Sequence, residues 1–256
     1  QRVLAWFKGS LCPGWITMSD FGFIVGSAFS NLELEIMSRS PTKTPFGIPS
    51  SPVLEVAIDD CRVPCIFRHG ENAQIPPHMI NYRANLWALW EHGVRQCLGL
   101  SAVGTMDQRF APGELAVPEQ IIDYTWGRDH TFSDGNRELK HVDFTNPFDD
   151  SFRASISEAA KASDYLIRGG VYGVTQGPRL ETASEIDRLE RDGCTMVGMT
   201  GMPEAGLARE IGMKYAICAM AVNYAAGRGN EGASIHDQFK QYTPQAIEQL
   251  LRLLGC

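Results

Sequence analysis

The stretch from Met196 to Asn223 constrains this chain most. It reads Met-Val-Gly-Met-Thr-Gly-Met-Pro-Glu-Ala-Gly-Leu-Ala-Arg-Glu-Ile-Gly-Met-Lys-Tyr-Ala-Ile-Cys-Ala-Met-Ala-Val-Asn. A short apolar run ends at Val197, a glycine-bearing polar loop follows, then an amphipathic helix, then a second apolar run. Leu207 and Ile211 sit one helical turn apart, with Arg209 and Glu210 on another face. Gly212 is a helix stop signal. Tyr215 to Val222 is apolar throughout and predicts a buried strand. Polar groups remain at strand ends: Thr200 with its Gly201 loop, and Asn223. In α/β proteins ligands gather at such ends. The stretch by itself specifies a pocket, not a reaction.

A chain of 256 residues, 44% of them hydrophobic, suits one compact α/β domain with a sizeable core. A formal net charge of −7 argues against a nucleic-acid binder held by phosphate contacts. No apolar run is long enough to span a membrane. The seven cysteines are odd in number, lack Cys-x-x-Cys spacing, and include Cys65, Cys97 and Cys218 in apolar runs. They read as reduced core thiols of a cytoplasmic protein, with no metal site expected. Gln1 to Thr17 looks unlike the rest and has no long apolar core of a signal peptide. We read residues 1–17 as an extension or appended tail, Met18 as the natural start, and 18–256 as the domain.

The remaining elements fall in order. Phe21 to Val25 predicts the first strand, and Gly26-Ser27-Ala28 the turn after it. Such a turn can present backbone N–H groups and the Ser27 hydroxyl to an oxyanion, although taken alone it is more often a plain tight turn. Strands over Val53–Ile58 and Pro64–Phe67 lead to Arg68-His69-Gly70. Arg68 offers a planar fork of donors suited to phosphate; the bland alternative is a surface arginine at a strand end. A helix is predicted over Asn81–Trp90, and a strand over Arg95–Leu100 ending in the loop Ser101-Ala-Val-Gly-Thr105. Ser151–Ser163 reads as a helix, Arg168–Val174 as a strand, and Thr182–Arg191 as a helix ended by Gly193. Glu181, just before that helix, suits a helix N-terminus. Ala225 to Gly232 is a glycine-rich flexible segment before a last helix from Ser234 to about Leu254. Neither an internal repeat nor a composition break marks a second domain.

Several separated motifs, in order, resemble the trimeric purine nucleoside phosphorylase and methylthioadenosine phosphorylase family. They are Thr44-Pro-Phe-Gly-Ile-Pro-Ser-Ser-Pro52, Arg68-His-Gly with Pro76-Pro-His and Asn81-Tyr-Arg-Ala-Asn, Ser101-Ala-Val-Gly, Gly177-Pro-Arg-Leu-Glu-Thr, Gly198-Met-Thr-Gly-Met-Pro-Glu and Asn223-Tyr. The resemblance runs from about Phe23 to the last helix and is nearest to the bacterial methylthioinosine-cleaving type. It implies a single-domain α/β fold with a central mixed β-sheet flanked by helices. Two positions depart from the pattern. The family's Gly-Gly-Thr-Gly turn is here Val25-Gly26-Ser27-Ala28, and Ala73 stands where many relatives carry histidine.

The resemblance also implies a reaction: phosphorolysis of the N-glycosidic bond of a purine nucleoside, with inorganic phosphate as co-substrate and no cofactor. Ser27, Arg68, His69, Ser101, the Ala102 backbone N–H and Thr200 are then expected around phosphate. Glu181, Met199, Asn223 and Ala225 are expected around the base and sugar, and Ile235 and His236 around the sugar's 5′ end. His141 matches a residue that reaches a neighbouring subunit's site in a homotrimer, although a lone loop histidine is more often just solvated. Met199, too, is by itself more often simple core. Catalysis is assigned to Arg68, on the attacking phosphate, and to Asn223, on the charge that develops on the departing purine. The transition state expected is oxocarbenium-like.

Relatives that cleave adenine nucleosides carry Asp at the positions of Asn223 and Ala225. Their absence here predicts 6-oxopurine nucleosides, with S-methyl-5′-thioinosine preferred. An inosine/guanosine phosphorylase is the second reading and a methylthioadenosine phosphorylase the third. A non-catalytic nucleoside-binding protein is the alternative from a different class, resting on the altered Val25–Ala28 turn and Ala73.

Overall fold

The computed structural model describes residues 20–29, 35–58, 61–135, 139–162, 167–229 and 234–253. The segment 1–17, read as an extension, and residues 230–233 of the glycine-rich segment lie outside these. In chain order the elements are β1 (Phe21–Val25), β2 (Ile36–Ser40), β3 (Val53–Ile58), β4 (Cys61–Phe67), α1 (Tyr82–Glu91), β5 (Gln96–Thr105), β6 (Leu115–Ala116) and β7 (Gln120–Asp123). There follow α2 (Asp150–Ala162), β8 (Val171–Val174), α3 (Ala183–Arg191), β9 (Met196–Gly198), α4 (Gly201–Glu210), β10 (Lys214–Tyr224) and α5 (Ile235–Leu253).

The strands form one mixed sheet in the order β2-β3-β4-β1-β5-β9-β8-β7, with β10 paired to β5, and β6 to β10. This is the single domain with a central mixed sheet that the sequence led us to expect. Its hub is β5. Along one edge β5 pairs in parallel with β10 from Gln96 to Thr105. Its other edge is shared: β1 covers Gln96 to Gly99, and β9 pairs antiparallel at Gly104 and Thr105. Between them, Leu100 to Val103 has no strand partner on that edge among the described residues. The opening this leaves is where the pocket forms.

The apolar run in β10 is explained by burial on both faces. Ala216, Cys218, Met220 and Val222 pack into one layer with Phe152 and Ile156 of α2 and Leu250 of α5. Tyr215, Ile217, Ala219 and Ala221 pack into the other with Leu86 and Leu89 of α1 and Leu207 of α4. Leu86 and Leu89 are fully buried, each worth about 1.5–3 kcal/mol. Local signals fix the helix ends. Asn81 caps α1 by accepting the Ala84 N–H at 3.0 Å. Thr182 and Glu185 form a reciprocal capping box at the start of α3. Gly212, at φ +70°, ends α4.

The structure departs from the sequence reading in two places that matter for the site. The strand expected to stop at Leu100 continues through Ser101 to Thr105, because β10 pairs with it throughout. The strand expected to stop at Val222 continues through Asn223 to Tyr224, across a register shift between Ala221 and Asn223. A bulge of this kind re-aims the side chain that follows it. Asn223 is therefore held in a strand rather than at a loose end. Strands β2 and β7 are additions to the sequence reading.

Candidate active site

Close approach of three strands builds the floor of the pocket. A Cβ on Gly26 would lie 2.7 Å from the Leu100 carbonyl oxygen and 3.2 Å from Arg68 Nη1. Only glycine lets the end of β1 come this near to β5. Arg68 Nη1 donates to the Leu100 carbonyl at 2.9 Å on the same edge. Backbone groups alternate sides along a strand, so the Ala102 N–H faces the open edge that the Leu100 carbonyl faces. Ser101 Oγ lies 3.3 Å from Thr200 Oγ1, both residues being buried. Thr200 occupies the N-cap position of α4 but its hydroxyl makes no cap hydrogen bond. Two hydroxyls and a backbone N–H thus meet at one place, an arrangement suited to an oxyanion.

The spacing of Gly198-Met-Thr-Gly201 is set from below by Tyr172. A Cβ at Gly198 would fall 2.2 Å from the Tyr172 hydroxyl, and one at Gly201 would fall 2.8 Å from its ring. The two glycines let the loop approach this buried aromatic closely.

Arg68 differs from its sequence reading. It is wholly buried, not a surface arginine. Nε and Nη2 donate to the two oxygens of Glu204 at 2.7 and 2.6 Å. The planar fork expected to grip phosphate therefore faces a carboxylate. Arg68 lines the cavity, and the nitrogen not engaged by Glu204, Nη1, lies beside Gly26. Tyr215 completes the cluster, its hydroxyl donating to Glu204 Oε1 at 2.5 Å. Glu204 had no role in the sequence reading. The signal for it was an acidic residue within a helix turn otherwise made of Pro, Ala and Gly.

His69 lies 2.8 Å from the Ile75 carbonyl through Nδ1. That acceptor requires Nδ1 to carry the proton, so the neutral ring offers Nε2 as an acceptor. Burial, and then the positive charge of Arg68, lower the imidazole pKa, which favours that neutral form. Ala73, where relatives carry histidine, is exposed in a left-handed turn at φ +51° and does not line the cavity.

On the opposite wall, Asn223 Nδ2 donates to the Tyr224 carbonyl at 2.7 Å. This leaves its second amide hydrogen and Oδ1 for a ligand. Gly104 faces it across the ladder, and a Cβ there would come within 3.0 Å of Nδ2. Glu181 is half-buried and accepts from Thr175 Oγ1 at 2.5 Å. The helix cap itself is made by Thr182 and Glu185, and Glu181 immediately precedes it, so the helix-terminus reading and a place in the cavity hold together. Ala225 is buried between them and carries no polar group.

These walls enclose a cavity of about 690 Å³. Ser27, Arg68, His69, Ser101, Ala102 and Thr200 line one part of it. Glu181, Met199, Asn223 and Ala225 line another, and Ile235, His236 and Phe239 of α5 close the third side. His141 is exposed and does not line the cavity of its own chain. Arg128 and Glu204, which support the walls, are the residues the sequence reading missed.

Two hydroxyls and a backbone N–H beside an amide and a carboxylate, in one cavity of an α/β fold, suit a small anion and a heterocycle. Residues 20–255 match the Phosphorylase superfamily, and the chain belongs to that family. It is 48% identical over 229 residues to a protein of Xanthomonas campestris pv. campestris named probable S-methyl-5′-thioinosine phosphorylase, covering 86% of this chain and 92% of that one. It is 38% identical over 245 residues to the 6-oxopurine nucleoside phosphorylase of Pyrococcus furiosus, covering 93% and 91%. Among solved structures, methylthioadenosine phosphorylase from Schistosoma mansoni in complex with adenine superposes with a TM-score of 0.84 at 28% identity, covering 92% and 91%.

Proposed function

We propose that this chain catalyses phosphate-dependent cleavage of 6-oxopurine nucleosides, with S-methyl-5′-thioinosine preferred, giving hypoxanthine and 5-methylthioribose 1-phosphate. The observation that carries the reading is that one cavity is lined by Asn223 and Glu181 together with Ser101 and Thr200, the last two hydroxyls 3.3 Å apart. The names borne by the Xanthomonas and Pyrococcus relatives support it.

Phosphate rests among the Ser101 and Thr200 hydroxyls, the Ala102 N–H, Ser27 and the Nη1 side of Arg68. One phosphate oxygen attacks C1′ of the sugar as the bond from C1′ to N9 breaks. The bonding pair departs with the purine, which takes a proton at N7 from solvent, balanced by the proton that the new phosphate monoester gives up to solvent. Asn223 Oδ1 accepts that N7–H, while the remaining Nδ2 hydrogen donates to O6. The second oxygen of Glu181 accepts N1–H, which a 6-oxopurine has and adenine lacks. The Nδ2 donation to O6 strengthens as negative charge develops on the base and favours the transition state over the ground state, whereas Glu181 selects the base. His69, neutral, accepts a hydrogen bond from the P–OH of a monohydrogen phosphate through Nε2, and the proton stays on phosphate. Neither a protein nucleophile nor a cofactor is needed.

At the 5′ end, Ile235 and Phe239 offer apolar surface to a methylthio group, and His236 offers a hydrogen bond to a hydroxyl. The selectivity expected is thus partial, about 1–3 kcal/mol. His141 is read as completing the cavity of a neighbouring copy in a homotrimer. Buried free thiols at Cys65, Cys97, Cys194 and Cys218 suit a cytoplasmic setting. No helix among the described residues is long and apolar enough to cross a membrane.

The test is to incubate the protein with methylthioinosine, with and without phosphate, and to follow free hypoxanthine. Release that requires phosphate supports the reading. Tight nucleoside binding without release under either condition favours the non-catalytic alternative.

A further inference from the structure

Two loops that contribute to the cavity lining, within Thr175–Glu181 and Met199–Met202, come from separate segments of the chain. One side chain bridges them from behind. Arg128 is buried and does not itself line the cavity. Its Nη2 donates to the Gln176 carbonyl at 2.9 Å and reaches the Thr175 carbonyl at 3.4 Å. Nε donates to Gln176 Oε1 at 3.2 Å. Its Nη1 donates to the Met199 carbonyl at 2.9 Å and the Met202 carbonyl at 2.6 Å, and lies 3.2 Å from the Tyr82 hydroxyl. The acceptors are carbonyls, an amide oxygen and a phenol, so the guanidinium acts here through the geometry of its five N–H groups rather than through an ion pair.

Two of the anchors, Thr175 and Met199, connect directly to residues that line the cavity. Thr175 donates to Glu181 Oε1 at 2.5 Å. Met199 immediately precedes Thr200, and Met202 is the point where the chain turns, at φ −120° and ψ 139°, before the helical run of α4. We infer that Arg128 is a positioning residue that holds the base-facing loop and the phosphate-facing loop in mutual register. The inference rests on the reading given above of what those loops bind. A planar fork can bridge two loops at fixed separation. A lysine, with its donors at one point, keeps the charge but can serve only one side.

The test compares the whole protein with Arg128→Lys and Arg128→Met. Steady-state kinetics is measured against phosphate and against whichever nucleoside the unaltered protein turns over best. Amide hydrogen exchange of segments 174–181 and 198–203 is measured without substrate. The expected result for Arg128→Lys is a folded protein with a lowered melting temperature, faster exchange in both segments, and KM raised for both substrates. The accompanying fall in kcat/KM is roughly tenfold to a hundredfold, the scale of a displacement of about 1 Å in a reacting group. Wild-type kinetics in the lysine variant, or loosening confined to one segment, overturns the proposal. Arg128→Lys decides the matter even if Arg128→Met does not fold. If the unaltered protein cleaves no nucleoside, the functional reading fails, and the exchange data alone judge whether Arg128 ties the loops.

Discussion

The Arg68 guanidinium meets the Glu204 carboxylate edge to edge, Nε to Oε2 at 2.7 Å and Nη2 to Oε1 at 2.6 Å, with both side chains wholly removed from solvent. Arg68 lines the cavity, and the pair leaves its Nη1 to donate to the Leu100 carbonyl. Removing one partner of such a buried pair leaves an uncompensated charge. Glu204→Gln should therefore lower unfolding free energy by about 3–5 kcal/mol, read from urea denaturation. Replacing the cluster together, as Arg68→Met with Glu204→Leu and Tyr215→Phe, should recover part of that stability but no phosphorolysis. A Glu204→Gln protein as stable as wild type would contradict the account of this pair.

The lowered pKa of His69 has a stability consequence of fixed sign. Burial and the Arg68 charge favour the neutral ring in the folded state, whereas the unfolded chain takes up a proton near pH 6.5. The folded state binds fewer protons, so this contribution is fully present above about pH 6.5 and is lost as the pH falls below it. Denaturation midpoints at pH 7.5 and 5.5 should separate more for the wild type than for His69→Gln. Equal separations would show that His69 is not buried as the neutral ring.

Base selection should follow Asn223. Asn223→Asp places a second acceptor against O6 of a 6-oxopurine, and should lower kcat/KM for methylthioinosine while admitting adenine nucleosides. Ala225 is buried beside Asn223, so Ala225→Asp introduced with it should extend the exchange. Buried mispairing of polar groups gives discrimination of roughly 10⁴-fold, and the variants should erode a ratio of that order. Unchanged base preference in the double variant, measured by release of hypoxanthine and adenine, would remove Asn223 from this role.

The exposed His141 predicts that activity depends on assembly. Sizing at assay concentration should give an oligomer, and His141→Ala should weaken nucleoside binding without lowering the melting temperature. A fully active monomer would contradict this.

Much of the arrangement was legible in the sequence because its causes are local. The apolar run from Tyr215 to Val222 can only be a buried strand, and Thr182 with Glu185 announces the start of α3. Asn223 and Thr200 stood out as polar groups at the ends of apolar runs. What was not legible depends on partners distant in sequence. Ser101 to Thr105 reads as a loop because of its glycine and hydroxyls, and is a strand only because β10 lies beside it. Gln120 to Asp123 is short and half-exposed, and pairs with β8 at the end of the sheet. Neither the commitment of the Arg68 fork to a residue 136 positions away nor the span of Arg128 across two loops has any local signature.

The most direct test of the central claim is a comparison of kcat/KM for S-methyl-5′-thioinosine and S-methyl-5′-thioadenosine, with saturating phosphate and protein free of deaminase. The account predicts efficient release of hypoxanthine from the first and, by the mispairing of adenine against Asn223 and Glu181, a rate on the second lower by roughly 10⁴-fold. Comparable cleavage of the two would contradict it.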